Sequence, residues 1–173
     1  MAITRRTIAF STVEEKAQWL DANASLDSRL SSVRDFAASV ARAHDPNDQE
    51  GVIRDLHSFV RDSIRYQRDP NREEQFADAA TVLARGYDDC DGKARLFVAL
   101  CRAGGLEARI RPVFDGHRDF VHVQAEARWP GSERHPKQQG GGWLLCELIE
   151  RWANIGDDPD AIPRDGGGRR VLA

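Results

Sequence analysis

Gly86-Tyr87-Asp88-Asp89-Cys90-Asp91-Gly92-Lys93-Ala94 is the stretch on which the reading of this chain turns. A turn rich in Gly and Asp runs into Arg95, Leu96, Phe97, Val98, Ala99, Leu100 and Cys101, and the run ends at Gly104-Gly105. This pattern predicts a helix over about 89–103 that starts at Cys90 and closes on a glycine cap. The first N–H groups of a helix lack intrahelical acceptors, and its dipole is positive at that end, which favours an anion there. A thiol so placed tends toward a lowered pKa, and the thiolate is the nucleophile. Cys90 is therefore expected to attack a carbonyl, with the rest of the chain supplying its partners.

Moving outward, the totals limit the options. A chain of 173 residues is long enough for one domain with a real core; it is read as one domain over 1–156 with a loose tail over 157–173. Lys and Arg number 25 against 28 Asp and Glu, a net charge of −3. That balance gives no general drive toward nucleic acid or an anionic membrane. No apolar run approaches the ~20 residues of a bilayer span. Met1 to Phe10 carries Arg5 and Arg6 without an apolar core behind them, unlike a secretory signal. Three cysteines without a CxxC pair argue against a disulfide framework or a structural zinc site, so a reducing, cytoplasmic setting is expected.

Upstream of Cys90 the periodicity is helical. A short strand is expected over 3–10. Ser11 or Thr12 can cap a helix over 13–21, through the Ser/Thr-x-x-Glu pattern. Asp27 is expected to cap a helix over 27–43 with Leu26, Leu30, Val33, Phe36, Ala37 and Val40 on its buried face. A third helix over 48–65 has Val52, Ile53, Leu56, Phe59, Val60 and Ile64 as its stripe. His57 lies on it and reads as a helix-surface or core-edge imidazole rather than a catalytic one. Asp69-Pro70 breaks the pattern, and a short helix over 75–84 leads to the Gly86 turn.

Downstream the period becomes two. Leu106 to Phe114 is one expected strand and Phe120 to Ala127 a second, joined by a hairpin turn at 115–118. On the second, Val121, Val123 and Ala125 alternate with Phe120, His122, Gln124 and Glu126. Residues 130–142 read as a polar loop without core content. Gly142 to Leu148 is the third strand, with Trp143, Leu145 and Glu147 on one face and Leu144, Cys146 and Leu148 on the other.

A nucleophilic thiol needs a general base in reach, and the base an orienting partner. The Asp residues around Cys90 oppose its ionisation, so an imidazolium beside the thiolate is the expected remedy. His122, on a strand between apolar residues, is the candidate base. His117 is its rival but stands in a turn, and His135 lies in the polar loop. Glu147 is the candidate acid on the neighbouring strand. Glu126 is the alternative acid, but it lies four residues from His122 along one strand, about 13 Å. Cys101 and Cys146 read as buried small hydrophobes. Asp88 to Gly92 imitates a calcium loop briefly, but Tyr87 would take the first ligand position and Val98 the place of the closing Glu.

At these residues the chain resembles the transglutaminase-like superfamily of papain-like fold. Asp89-Cys90-Asp91-Gly92-Lys93-Ala94 resembles its nucleophile segment. Phe120-Val121-His122-Val123-Gln124-Ala125-Glu126 resembles its His strand, and Gly142-Trp143-Leu144-Leu145-Cys146-Glu147 its acid strand. Val60 to Tyr66 with Asp69-Pro70 resembles the helix and loop before the nucleophile. The likeness spans roughly 48–160 and is closest to small bacterial and phage-associated members. It implies an α+β fold, with helices and a central Cys helix packed on a small antiparallel sheet. It also implies a catalytic triad of Cys90, His122 and Glu147 that transfers an acyl group from an amide through a thioester. Water as acceptor gives a peptidase or amidase, and an amine gives a transamidase. The substrate would be a protein or peptide amide, with no cofactor, no metal, no nucleic acid and no membrane. One departure is the acid, where the family more often has Asp followed by Pro or Thr. The competing expectation is a catalytically idle domain that binds protein partners, as in a phage or prophage assembly.

Overall fold

The computed structural model describes residues 10, 12–68, 76–114 and 120–158; the side chains of Val13, Val113, Phe114, Phe120, Val121 and His122 are outside that description. The strand expected over 3–10, the Asp69-Pro70 connection, the 115–118 turn with His117, and the tail beyond 158 lie outside the described residues.

The helices are α1 (Val13–Asp27), α2 (Ser31–Ala41), α3 (Gln49–Ser63), α4 (Ala79–Arg85) and α5 (Cys90–Ala103). The strands are β1 (Arg65–Tyr66), β2 (Tyr87–Asp88), β3 (Glu107–Phe114), β4 (Phe120–Arg128) and β5 (Leu144–Cys146). Helix α5 is the hub, for α1, α2, α3 and α4 all pack on it, as do β3 and β4. Its residues from Asp91 to Cys101 are all buried, as expected of a helix covered on every side. The glycine end is as expected: Leu106 N–H reaches back to Cys101 O at 2.9 Å, and Gly105 takes φ +73°, a conformation that suits a residue without Cβ.

Thr12 caps α1 by accepting from Glu15 N–H, but α1 runs to Asp27 rather than stopping near 21. Asp27 therefore does not cap α2, whose cap residue Leu30 has no side-chain bond. Its buried carboxylate instead accepts from Ala79 N–H at 2.8 Å, at the start of α4, and from Arg95 at 2.6 and 3.0 Å. One carboxylate thus ties α1, α4 and α5 together. A side chain serving distant elements leaves no periodic trace in the sequence.

The sheet has the order β3-β4-β5 and is antiparallel throughout. Register pairs Pro112 with Val123, Ile110 with Ala125, and Ala125 with Cys146. The outer edge of β3 is covered by α1 and α5 side chains: Ile110 N–H donates to Asp21 at 3.0 Å, and Arg102 donates to Ala108 O at 2.9 Å. Pro112, which has no N–H, falls on that edge, where no ladder bond is lost. The loop over 130–142 differs from expectation. Ser132 is buried, accepts from Trp129 N–H and donates to Gly142 O at 2.7 Å, which fastens the loop to the sheet.

Candidate active site

The segment before Cys90 is held by a pairing too short to show periodicity. β1 and β2 are parallel, with Arg65 beside Tyr87 and Tyr66 beside Asp88. This ties the end of α3 to the lead-in of Cys90. Each residue around the cysteine then has a separate task. Asp88 forms a buried ion pair with Arg85 at 2.6 Å and presses against the Cα of Gly92, where a Cβ would meet its Oδ2 at 2.0 Å. Asp89 caps α5, accepting from Asp91 N–H at 3.0 Å and Gly92 N–H at 3.2 Å. Asp91 pairs with Lys16 of α1 at 2.6 Å, with both side chains nearly buried. Lys93 is buried and donates to Ile64 O at 2.6 Å and Arg61 O at 3.2 Å, capping the end of α3. Burial pulls its pKa down to about 8. Lys93 and Arg95 thus belong to the interior.

Cys90 is the first residue of α5 and is half-buried. Its Sγ lies 3.7 Å from Asp91 Oδ1 and accepts the backbone N–H of Val123 on β4. That amide is available because β5 is short. Ile110 spends its N–H on Asp21, so by antiparallel alternation the partners across the ladder, Ala125 and Val123, turn their amides toward β5. β5 ends at Cys146, opposite Ala125. The peptide that donates to the sulfur is the one joining His122 to Val123. His122 itself is paired through its backbone with Val113.

The helix start alone predicts an acidic thiol, and the surroundings reverse this. Burial, then the carboxylates of Asp91 and Asp89, push the Cys90 thiol up to about 12, against smaller help from the Val123 amide and Lys16. Two negative charges and lost hydration outweigh a dipole worth ~0.5 charge. Burial also raises the Cys101 and Cys146 thiols, both fully enclosed, in keeping with their reading as small hydrophobes.

Glu147 stands one residue past β5 and is buried. Its carboxylate accepts from Gln124 Nε2 at 2.9 Å, from Ile149 N–H at 2.7 Å and from Glu150 N–H at 3.4 Å. The strand expected through Leu148 therefore stops early and folds into a turn around the Glu147 side chain. Its backbone carbonyl accepts from His57 Nε2 at 2.6 Å. His57 is a buried, neutral imidazole, its pKa drawn down to about 4 chiefly by burial. It packs edge-on against Phe97 at 6.2 Å and fixes the acid segment to α3. The alternative acid, Glu126, is committed elsewhere, being fully buried and paired with Arg109 and Arg111.

The structure thus brings Cys90 against β4 next to His122, and binds Glu147 to Gln124, two positions further along that strand. Gln124, His57 and Lys16 are the participants the sequence reading missed. Gln124 was visible on the His122 alternation, and His57 falls between Ile53, Leu56 and Val60 on the α3 stripe. A cavity of about 460 Å³ lies elsewhere, between α1 and β3, lined by Gln18, Asp21, Arg111 and Pro112 among others. Among the described residues no group of three or more His, Cys, Asp or Glu side chains is placed to hold a metal ion, and no helix is long and apolar enough to cross a membrane.

A cysteine opening a buried helix, packed on an antiparallel sheet with a histidine on one strand and an acid just past the end of the next, fits the papain-like class. The core model of the transglutaminase-like superfamily matches residues 34–148, and the chain belongs to that superfamily. No curated protein sequence matches the chain. Among solved structures, a proposed protease from Parabacteroides distasonis shares 16% identity and a TM-score of 0.59, over 82% of this chain and 32% of that one. LapG from Legionella pneumophila shares 15% identity and a TM-score of 0.52, over 86% of this chain and 77% of its own. The chain spans about a third of the Parabacteroides protein. At these identities the likeness is one of fold.

Proposed function

We propose that the protein is a cysteine-dependent acyl-transfer enzyme acting on amide bonds of a protein or peptide, with Cys90 as nucleophile, His122 as general base and acid, and Glu147 as the orienting acid. In this reading His122 takes the Cys90 proton and the sulfur attacks the amide carbonyl. The C–N bond then breaks as His122 returns the proton to the leaving amine. Water, or a second amine, attacks the thioester and restores the thiol. The observation that supports the reading is the packing of α5, which opens at Cys90, on β4, the strand whose sequence carries His122 and whose Gln124 holds the Glu147 carboxylate. In the sequence, His122 shares its alternation with Gln124, whose amide holds Glu147. A thiol that its immediate neighbours keep protonated is a thiol that needs a base.

The test is incubation of the protein with a library of peptide amides, followed by intact-mass analysis and mapping of Cys90. A thioester adduct on Cys90, absent from Cys90→Ser and released by water or hydroxylamine, is the expected result. No adduct and no amide turnover from any library member would leave the idle protein-binding domain as the better account.

A further inference from the structure

We propose that Lys16 is a positioning residue for the Cys90 nucleophile. Acting through Asp91, its ammonium neutralises the carboxylate that lies against the sulfur and so sets the pH at which the thiolate forms. The inference rests on the acyl-transfer reading above. Its geometry is a three-member chain: Cys90 Sγ is 3.7 Å from one oxygen of Asp91, and the other oxygen is 2.6 Å from Lys16 Nζ. The side chains of Lys16 and Asp91 are only 8% and 6% exposed. Burying an ammonium and a carboxylate is expensive, and such a pair is a weak source of stability compared with packed hydrocarbon. Its position against a reactive atom supplies another reason for it to be there.

Among the described residues, the groups that face the sulfur come from three elements. Asp89 and Asp91 of α5 oppose the thiolate, while Lys16 of α1 and the Val123 amide of β4 favour it. His122, also on β4, takes the proton in the acyl-transfer reading. Asp91 alone would place a bare negative charge against the charge that must form. Paired with Lys16 its charge is offset in part toward the sulfur, and it remains an acceptor for the resting thiol. Lys16 is itself held in place, with its ammonium 5.4 Å from the Phe76 ring centroid. Phe76 stacks in turn with Phe10 and Trp19 at 5.7 and 5.0 Å. The first turns of α1, remote from Cys90 in sequence, thereby become part of the nucleophile's electrostatic setting.

The experiment is the rate of iodoacetamide alkylation at Cys90 on the full chain, read by peptide mass as a rate–pH curve from pH 6 upward, with the midpoint taken from the displacement of that curve along the pH axis. The variants are Lys16→Met, Asp91→Asn, the double variant, Lys16→Arg and His122→Ala, each with a urea midpoint in parallel. Loss of a unit charge at this range in a half-buried site is worth about one pH unit or more. Lys16→Met should therefore raise the alkylation midpoint by that much and slow labelling about tenfold at pH 7. Asp91→Asn should lower the midpoint, the double variant should fall between Asp91→Asn and Lys16→Met, and Lys16→Arg should keep it. A merely structural salt bridge would change the urea midpoint and leave the alkylation midpoint alone. Should Lys16→Met not fold, Asp91→Asn and the charge-free double variant decide. Single variants with the parental midpoint overturn the inference while a His122→Ala shift leaves the enzyme reading intact. No shift in His122→Ala either would sink that reading itself.

Discussion

His57 makes the stability of this fold depend on pH in a direction and amount that the structure supplies. Its folded pKa is about 4, against 6.5 in the unfolded chain. Between those values the unfolded state binds the proton and the folded state does not, so stability rises with pH across the window. The stabilisation is complete above pH 6.5 and is lost as pH falls toward 4. Each pH unit in the window is worth about 1.4 kcal/mol, so this one group removes about 3 kcal/mol between pH 7 and pH 4. That is a large share of the 5–15 kcal/mol that holds a typical domain of about this size together. His57→Gln keeps a donor for the Glu147 carbonyl and cannot titrate. It should cost about 1–2 kcal/mol at pH 7, through poorer packing against Phe97 and a less favourable bond, but its stability should fall less steeply with acid. Urea unfolding at half-unit steps from pH 7 to 4, monitored by tryptophan fluorescence, should show the two curves converging by about pH 5. Parallel curves across the whole range would refute the placement of a neutral His57 in the core.

Gly92→Ala should destabilise the fold by about 1–3 kcal/mol, because the new methyl would sit 2.0 Å from an Asp88 oxygen that Arg85 pins in place; an unchanged thermal midpoint would contradict that packing. Arg95→Met leaves the Asp27 carboxylate buried without its guanidinium and should cost about 3–5 kcal/mol. Adding Asp27→Asn should recover part of that loss, and a double-mutant cycle by urea denaturation measures how much. Asp89→Ala removes the cap of α5 and should cost about 1 kcal/mol; because it also takes a negative charge from beside the sulfur, Cys90 labelling at pH 7 should become faster rather than slower.

Much of this architecture could be read from the chain because its elements are long and periodic. The α3 stripe, the alternation in β3 and β4, and the Gly104-Gly105 stop each repeat a local rule several times over. Where an element is short, no rule repeats: two residues of β1 and two of β2 carry no period, yet they position the approach to Cys90. Where a polar side chain serves two distant elements, the sequence misleads. Asp27 reads as a cap for the helix that follows it and in fact anchors α4 and Arg95. Lys93 closes α3 from within, a task that nothing in its local sequence marks. The site shows the same division. Cys90 and Glu147 stand out by residue type and position, whereas Gln124, His57 and Lys16 acquire their roles only when chain folding brings remote residues within 3 Å. The thiol pKa was the harder matter, since a helix dipole can be inferred from local sequence but burial cannot.

The most direct trial of the account is the labelling rate of Cys90 at pH 7 in the parent protein and in His122→Ala, with Cys101 and Cys146 as internal controls. The account predicts that Cys90 alone reacts, and that loss of the imidazole slows it at least tenfold. A Cys90 as inert as its two buried counterparts, or equally reactive with and without His122, would contradict it.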